Sequence, residues 1–281
     1  MKRLISIEFQ KLWLNRASRI LIISYFVILS FIALIASVKL TFFGIDFRLA
    51  DQGIFNFPYI WHFNTYIAVL LKLFLAIVIV SMMANEYTYG TLKQNLIDGL
   101  SKKEFMQSKV LTVLIFALSS TIFIFIMTLI LGYSFSSFTE ASIVFSDLGY
   151  IVGYFINLVG FFSFCLFAGI LVKRSAFAIG FIFLWFIVEK IIQGLLYAFV
   201  VPSKEALDKV MQFFPLESIS NLLIEPFTRF KAYKAIENQV NQAAAIAPKD
   251  YSVHWYTILI VLIWTAVFIT LSYKILKKRD L

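Results

Sequence analysis

The run VLTVLIFALSSTIFIFIMTLILGY, Val110–Tyr133, carries no charged residue and is far too long for a strand. About 20 residues at ~1.5 Å rise cross a bilayer's hydrocarbon core, so this run reads as a transmembrane helix. Five more runs have the same character: Ile20–Val38, Tyr66–Met83, Gly149–Val172, Ala176–Val200 and His254–Tyr273. They are continuous rather than alternating, which excludes a β-barrel. With 61% hydrophobic residues, 18% aromatics and a mean hydropathy of +0.87, no room remains for a separate soluble catalytic domain. The expected fold is an all-α membrane protein of six transmembrane helices, forming one domain over residues 1–281.

Directly before Val110–Tyr133 lies a polar island, EYTYGTLKQNLIDGLSKKEFMQSK, Glu86–Lys109. It reads as two short helices in a hairpin over residues 85–109. Thr91-x-x-Gln94 and Ser101-x-x-Glu104 both have capping-box spacing, and Gly99 stands where a left-handed residue would close the first helix. Leu92, Leu96 and Leu100 share one face, an apolar ridge of the kind that fits a partner's groove.

Lysine and arginine counts orient the chain. The loops holding both termini, the island and Lys173-Arg174 carry 15 basic and five acidic residues, whereas the opposite set carries eight basic and ten acidic. Both termini and the island are therefore expected on the cytoplasmic side of a bacterial cytoplasmic membrane. The net charge of +9 is a topology signal that anionic headgroups would balance, and gives no case for nucleic acid. The basic leader before the first span is long for a signal peptide and no small-residue cleavage site follows, so that span reads as retained. The single cysteine, Cys165, lies in the fourth span and says nothing of redox compartment.

Residues 1–19 read as an amphipathic helix on the membrane surface, with Ile5, Phe9, Leu12 and Trp13 on one face; the simpler alternative is a basic flank. Phe55, Phe57, Tyr59, Trp61 and Phe63 read as an aromatic belt, as do Trp255 and Tyr256. His62 and His254, without ligand-spaced partners, read as interfacial histidines. The extracytoplasmic segment 201–253 shows helical spacing after Pro202-Ser203, between Pro215 and Pro226, and from Thr228 to Ile246, either gating an exit or capping the surface.

Polar residues inside spans are costly and so informative. Gly149, Gly153, Asn157 and Gly160 form a stripe that suits close helix packing. In the fifth span Trp185, Glu189, Gln193 and Tyr197 recur every four residues, with Lys190 beside Glu189 but not facing it. They read as a candidate pathway, or else as an internal pair fixing helix packing. Lys72 reads as a snorkelling lysine near the outer end of the second span.

No phosphate loop, H-E-x-x-H, G-x-S-x-G or candidate triad occurs, so the chain is not expected to be catalytic. Energy would come from an ion gradient or an ATPase partner. No proline lies in any of the six runs and no internal repeat is evident, whereas secondary carriers tend to show both breaks and repeats. The cytoplasmic hairpin favours the ATPase.

The amino-terminal helix with its early Glu8, the six spans, Glu86-x-x-x-Gly90-Thr91-Leu92-Lys93 and the turn Ser101-Lys102-Lys103 leading to Lys109 resemble ABC-2-type ABC transporter permeases. The resemblance covers the whole architecture, with its specific motif confined to residues 86–109. It implies that the Glu-x-x-x-Gly-Thr stretch opens a coupling helix seated in a separately encoded ATPase subunit, carrying over to Glu86, Gly90, Thr91, Leu92, Leu96 and Leu100. It implies two permease chains, identical or related, with two ATPase chains that bind the ATP and Mg, so this chain needs no cofactor. The second and fifth spans would approach the mate, setting Trp185, Glu189, Lys190, Gln193 and Tyr197 against it or against the route. The segment 201–253 matches in position the family's short outer helices, though longer and more charged. The expected function is the membrane subunit of an exporter of unspecified cargo: peptide or antibiotic, lipid or ion. The alternatives are an ion-coupled secondary carrier, or a scaffold that recruits a cytosolic protein without transport.

Overall fold

The computed structural model describes residues 2–38, 40–42, 45–47, 53–201, 203–229 and 250–279. Side chains of Asn15, Ser101 and Ser203 cap three of the helices. Asn15 separates α1 (Lys2–Leu14) from α2 (Arg16–Ser37), its side chain accepting from Ser18 N at 3.0 Å. Beyond α2 comes an antiparallel hairpin of three-residue strands, β1 (Leu40–Phe42) and β2 (Ile45–Phe47), the one departure from a helical chain among the described residues.

The second span starts earlier than its apolar run. It consists of α3 (Tyr59–Leu70) and α4 (Lys72–Thr88), bent by 43° at Leu71. The aromatic cluster before and within α3 is therefore core rather than belt: Phe55, Phe57, Trp61 and Phe63 are buried, and of the five only Tyr59 is exposed. Trp61 stacks on Phe125 and donates to Val144 O at 2.7 Å, which satisfies its N–H away from any interface. Trp255 and Tyr256 are exposed, as a belt requires.

After the short α5 (Thr91–Ile97), α6 (Lys102–Phe135) runs 34 residues without a break. At ~1.5 Å per residue it outruns the ~30 Å hydrocarbon core by several turns. What reads in the sequence as a second short helix of the hairpin is thus the projecting start of the third span. Then come α7 (Ala141–Val144), α8 (Gly149–Val172), α9 (Ser175–Phe199), α10 (Lys204–Met211), α11 (Pro215–Ser220), a 3₁₀ turn at Phe227–Arg229, and α12 (Trp255–Lys278). Five helices are long and apolar enough to cross a membrane, or six with the bent pair counted as one. Residues 230–249, on which most of the Thr228–Ile246 expectation falls, lie outside the described residues.

The packing centre is α8, buried over most of its length and touched by α3, α4, α6, α9, α11 and α12. Gly160 is why α12 can come close: a Cβ there would stand 2.7 Å from a Val261 methyl. Gly153 meets Val253, but Gly149 has nothing within 4 Å, so the stripe works through its second and fourth members. Opposed to α8 in character are α2 and α9, whose apolar side chains mostly face outward.

Candidate functional site

One end of the bundle collects α1, the Gly90 turn, α5, the start of α6 and the end of α12; we refer to it as the basic end. At its centre Lys109 is 0% exposed, one turn into the buried part of α6. Its ammonium donates to Glu8 Oε2 at 2.6 Å and to Glu86 Oε1 at 2.7 Å. Glu86 Oε1 also accepts from Lys11 at 2.9 Å, and its Oε2 accepts from Thr91 Oγ1 at 2.6 Å. Two lysines and two glutamates from α1, α4 and α6 thus pair completely, with the first residue of α5 attached. Buried ions persist only when paired and hydrogen-bonded, and removing one partner is much costlier than replacing all of them.

The turn between α4 and α5 depends on Gly90, at φ +66°. A Cβ would meet nothing within 4 Å there, so the glycine serves the left-handed backbone and not a close approach. Thr91 is the first residue of α5 rather than its cap; Gly90 takes the cap position with no side-chain bond, and Thr91-x-x-Gln94 forms no capping box. The reason is local: the Thr91 hydroxyl is taken by Glu86. Ser101-x-x-Glu104 does form its box at the head of α6. Gly99, at φ +96°, closes α5, with Leu100 N on Asn95 O at 3.0 Å and Gly99 N on Leu96 O at 3.2 Å.

The Leu92–Leu96–Leu100 face points inward. Leu92 is 1% exposed in the chain's own core, and Leu96 and Leu100 pack against it. The outward face carries Tyr89 and Ile97, 71% and 75% exposed, with Lys93 and Gln94. At the same end Lys102 donates to the carbonyls of Lys277 and Arg279, while Arg279 reaches Tyr87 Oη at 3.0 Å and the last carbonyls of α8.

The fifth-span residues sit toward the other end. Glu189 is buried and accepts from Trp185 Nε1 at 2.7 Å, Leu216 N at 3.1 Å and Glu217 N at 3.1 Å. It therefore holds the N-terminus of α11, where orphan amides and the helix dipole favour an anion. Lys190 pairs with Glu217 at 2.8 Å and Gln193 at 3.0 Å, and Tyr197 is exposed. Trp185 and Glu189 meet and Gln193 joins Lys190, whereas Tyr197 stands on the exposed surface. Glu189 thus finds its partners within the chain, on its own helix and at the head of α11.

Two further anchors fix the short helices. Asn157 Nδ2 donates to Ile219 O at 2.6 Å, and Trp264 Nε1 to Phe213 O at 2.9 Å, so α11 is sunk between α8, α9 and α12 instead of lying above them. His62 is fully buried, hydrogen-bonded to Ile224 O at 2.6 Å and to Arg229, and stacked on Tyr150; it is not an edge residue. Lys72 does not snorkel. It opens α4 after the bend and points its ammonium to Asn157 Oδ1 at 2.9 Å, 4.3 Å from the Phe161 ring centre.

The sequence reading missed the pairing of Lys109 with Glu8 and Glu86, and a buried hydroxyl triad of Tyr25, Ser120 and Tyr154 linking α2, α6 and α8 at 2.6–2.7 Å. A signal existed for the first: Glu8 follows the apolar Ile5 face and Lys109 borders a run with no other charge.

The model of a family described as a protein of unknown function (DUF2705) matches residues 21–281. No curated protein matches the chain.

Proposed function

We propose that this chain, which belongs to the DUF2705 family, is the non-catalytic membrane subunit of an ATP-driven exporter, coupled through α5 to a separate ATPase. The observation that supports this most is the Glu8–Lys109–Glu86 cluster with Thr91 attached. A push on α5 has no soft joint to dissipate in: it reaches α4 and α6 through paired buried charges, and α1 through Glu8 and Lys11. The exposed Lys93 and Ile97 of α5, with Tyr89 in the turn before it, give a partner apolar area and a cation beside it. In this reading the basic end and both termini are cytoplasmic, by the excess of lysine and arginine there. The outward apolar faces of α2 and α9 leave room for a second permease chain. The cargo is set elsewhere in the molecule.

One observation favours an ion-coupled carrier instead, the second span broken at Leu71 with Lys72 beside the break. Purification in mild detergent separates the readings. We expect a tagged full-length chain to retain an ATP-binding subunit and to stimulate its ATP hydrolysis. Recovery without such a subunit, with uptake that follows a proton or sodium gradient, would favour the carrier.

A further inference from the structure

Away from the basic end, a cavity of about 260 Å³ opens between α4, α8, α9 and α11. Its charged lining is Lys72, Glu189, Lys190 and Glu217, and the rest is apolar apart from Ser220, including Phe161 and Phe183. Leu73, Phe183 and Phe186 line it and are also exposed on the bundle's flank, so the mouth faces sideways, toward lipid in a membrane.

Three of the four charges are committed. Glu189 accepts from Trp185 and the head of α11, and Lys190 pairs with Glu217. Lys72 is left over. An ammonium has three donors, and this one has a single oxygen, Asn157 Oδ1, and one ring face. Among the described residues no carboxylate lies within ion-pair distance of it. Asn157 cannot do more, because its amide is held by Ile219 O. A lysine in apolar surroundings is expensive unless an anion or water attends it.

We infer that this cavity binds an amphiphile with a single anionic group, carboxylate or phosphate, on an apolar body. The anion sits on Lys72, and the apolar part lies along Phe161, Phe183 and Phe186 and out through the mouth. Lys72 is the one cation of this lining without a carboxylate partner among the described residues, so the site matches a headgroup with one negative charge. The site stands on its own and does not require the ATPase reading.

The test uses the full-length protein in nanodiscs and three photoactivatable probes of equal acyl length: a diazirine fatty acid, a diazirine phosphatidylglycerol and a diazirine diacylglycerol, which has no anionic group. Labelled peptides are mapped by mass spectrometry. We expect both anionic probes to label the Phe183–Lys190 and Leu216–Ser220 regions over the neutral one by about tenfold, as the loss of one charge-assisted bond would give. Lys72→Gln should erase that preference and Lys72→Arg should keep it. Since Lys72→Gln risks misfolding, Leu73→Trp at the exposed mouth provides a second variant, which should block labelling with Lys72 intact. Equal labelling by the neutral probe, an unchanged pattern in folded Lys72→Gln, or displacement by inorganic phosphate alone would each overturn the inference. The ratio between the fatty acid and the phosphatidylglycerol tells which source of the anion fits.

Discussion

At the residue scale, Lys109 carries the most consequence. Without it Glu8 would lose its ammonium and Glu86 would keep only Lys11 and Thr91, so Lys109→Met should cost about 3–5 kcal/mol, read as a lowered unfolding temperature in detergent. The triple change Glu8→Gln, Lys109→Met, Glu86→Gln removes the stranded charges together and should recover most of that loss. A triple variant no more stable than the single one would show that the charges are not acting as a buried pair. Glu189 yields the opposite kind of prediction. Glu189→Gln keeps an acceptor for the α11 amides and should fold close to normally. Glu189→Leu leaves those amides and the Trp185 indole without an acceptor, at about 1–3 kcal/mol for each group that stays dry. Limited proteolysis around residues 203–229 is the sensitive readout, since α11 is what Glu189 holds. Sequence alone singled out Glu189 as an anomaly and left its partner open. Periodicity gives the face of a helix, whereas the amides of Leu216 and Glu217 come from a segment 27 and 28 residues further on.

At the scale of elements, the apolar runs located four helices to within about five residues at either end, because length and hydropathy are enough for a helix surrounded by lipid, whereas α6 starts eight residues before its run. The start of the second span escaped because its first half, Tyr59–Leu70, mixes His62, Asn64 and Thr65 with aromatics; His62 and Asn64 are satisfied by tertiary partners, Ile224 and Thr128, and Thr65 by carbonyls of its own helix. Helix α5 was legible in its stops, Gly90 and Gly99, and not in its orientation. Three leucines at spacing four define a face, yet the sequence does not say whether the chain or a partner covers it. For α5 this gives a paired test. Leu92→Asp should destabilise the permease itself, whereas Lys93→Glu with Ile97→Asp should leave its melting temperature unchanged and release the ATPase from the purified complex. If the outward double variant still retains the ATPase in full, α5 is not the docking element. Gly90→Val should be worse than Thr91→Ala for stimulated ATP turnover, since the first forces a β-branched residue into the left-handed region and the second removes one hydroxyl–carboxylate bond.

At the scale of the whole molecule, the coupling argument needs a direction, and direction comes from charge. The basic end carries Lys93, Lys102, Lys103, Lys277 and Lys278, while the connection between α6 and α8 at the other end carries Glu140 and Asp147 and no base. Positive flanks resist translocation, so the basic end should remain in the cytoplasm. Cys165 is buried in α8 and so presents little thiol to a reagent; a Cys165→Ala background removes even that. In it, Gln94→Cys on α5 and Thr139→Cys on the far connection place exposed thiols at the two ends of α6. A membrane-impermeant maleimide added to intact cells should modify Thr139→Cys and spare Gln94→Cys, and inverted vesicles should reverse the pattern. Labelling of Gln94→Cys from outside would put α5 beyond the reach of any cytosolic ATPase, and the proposed function would fail with it.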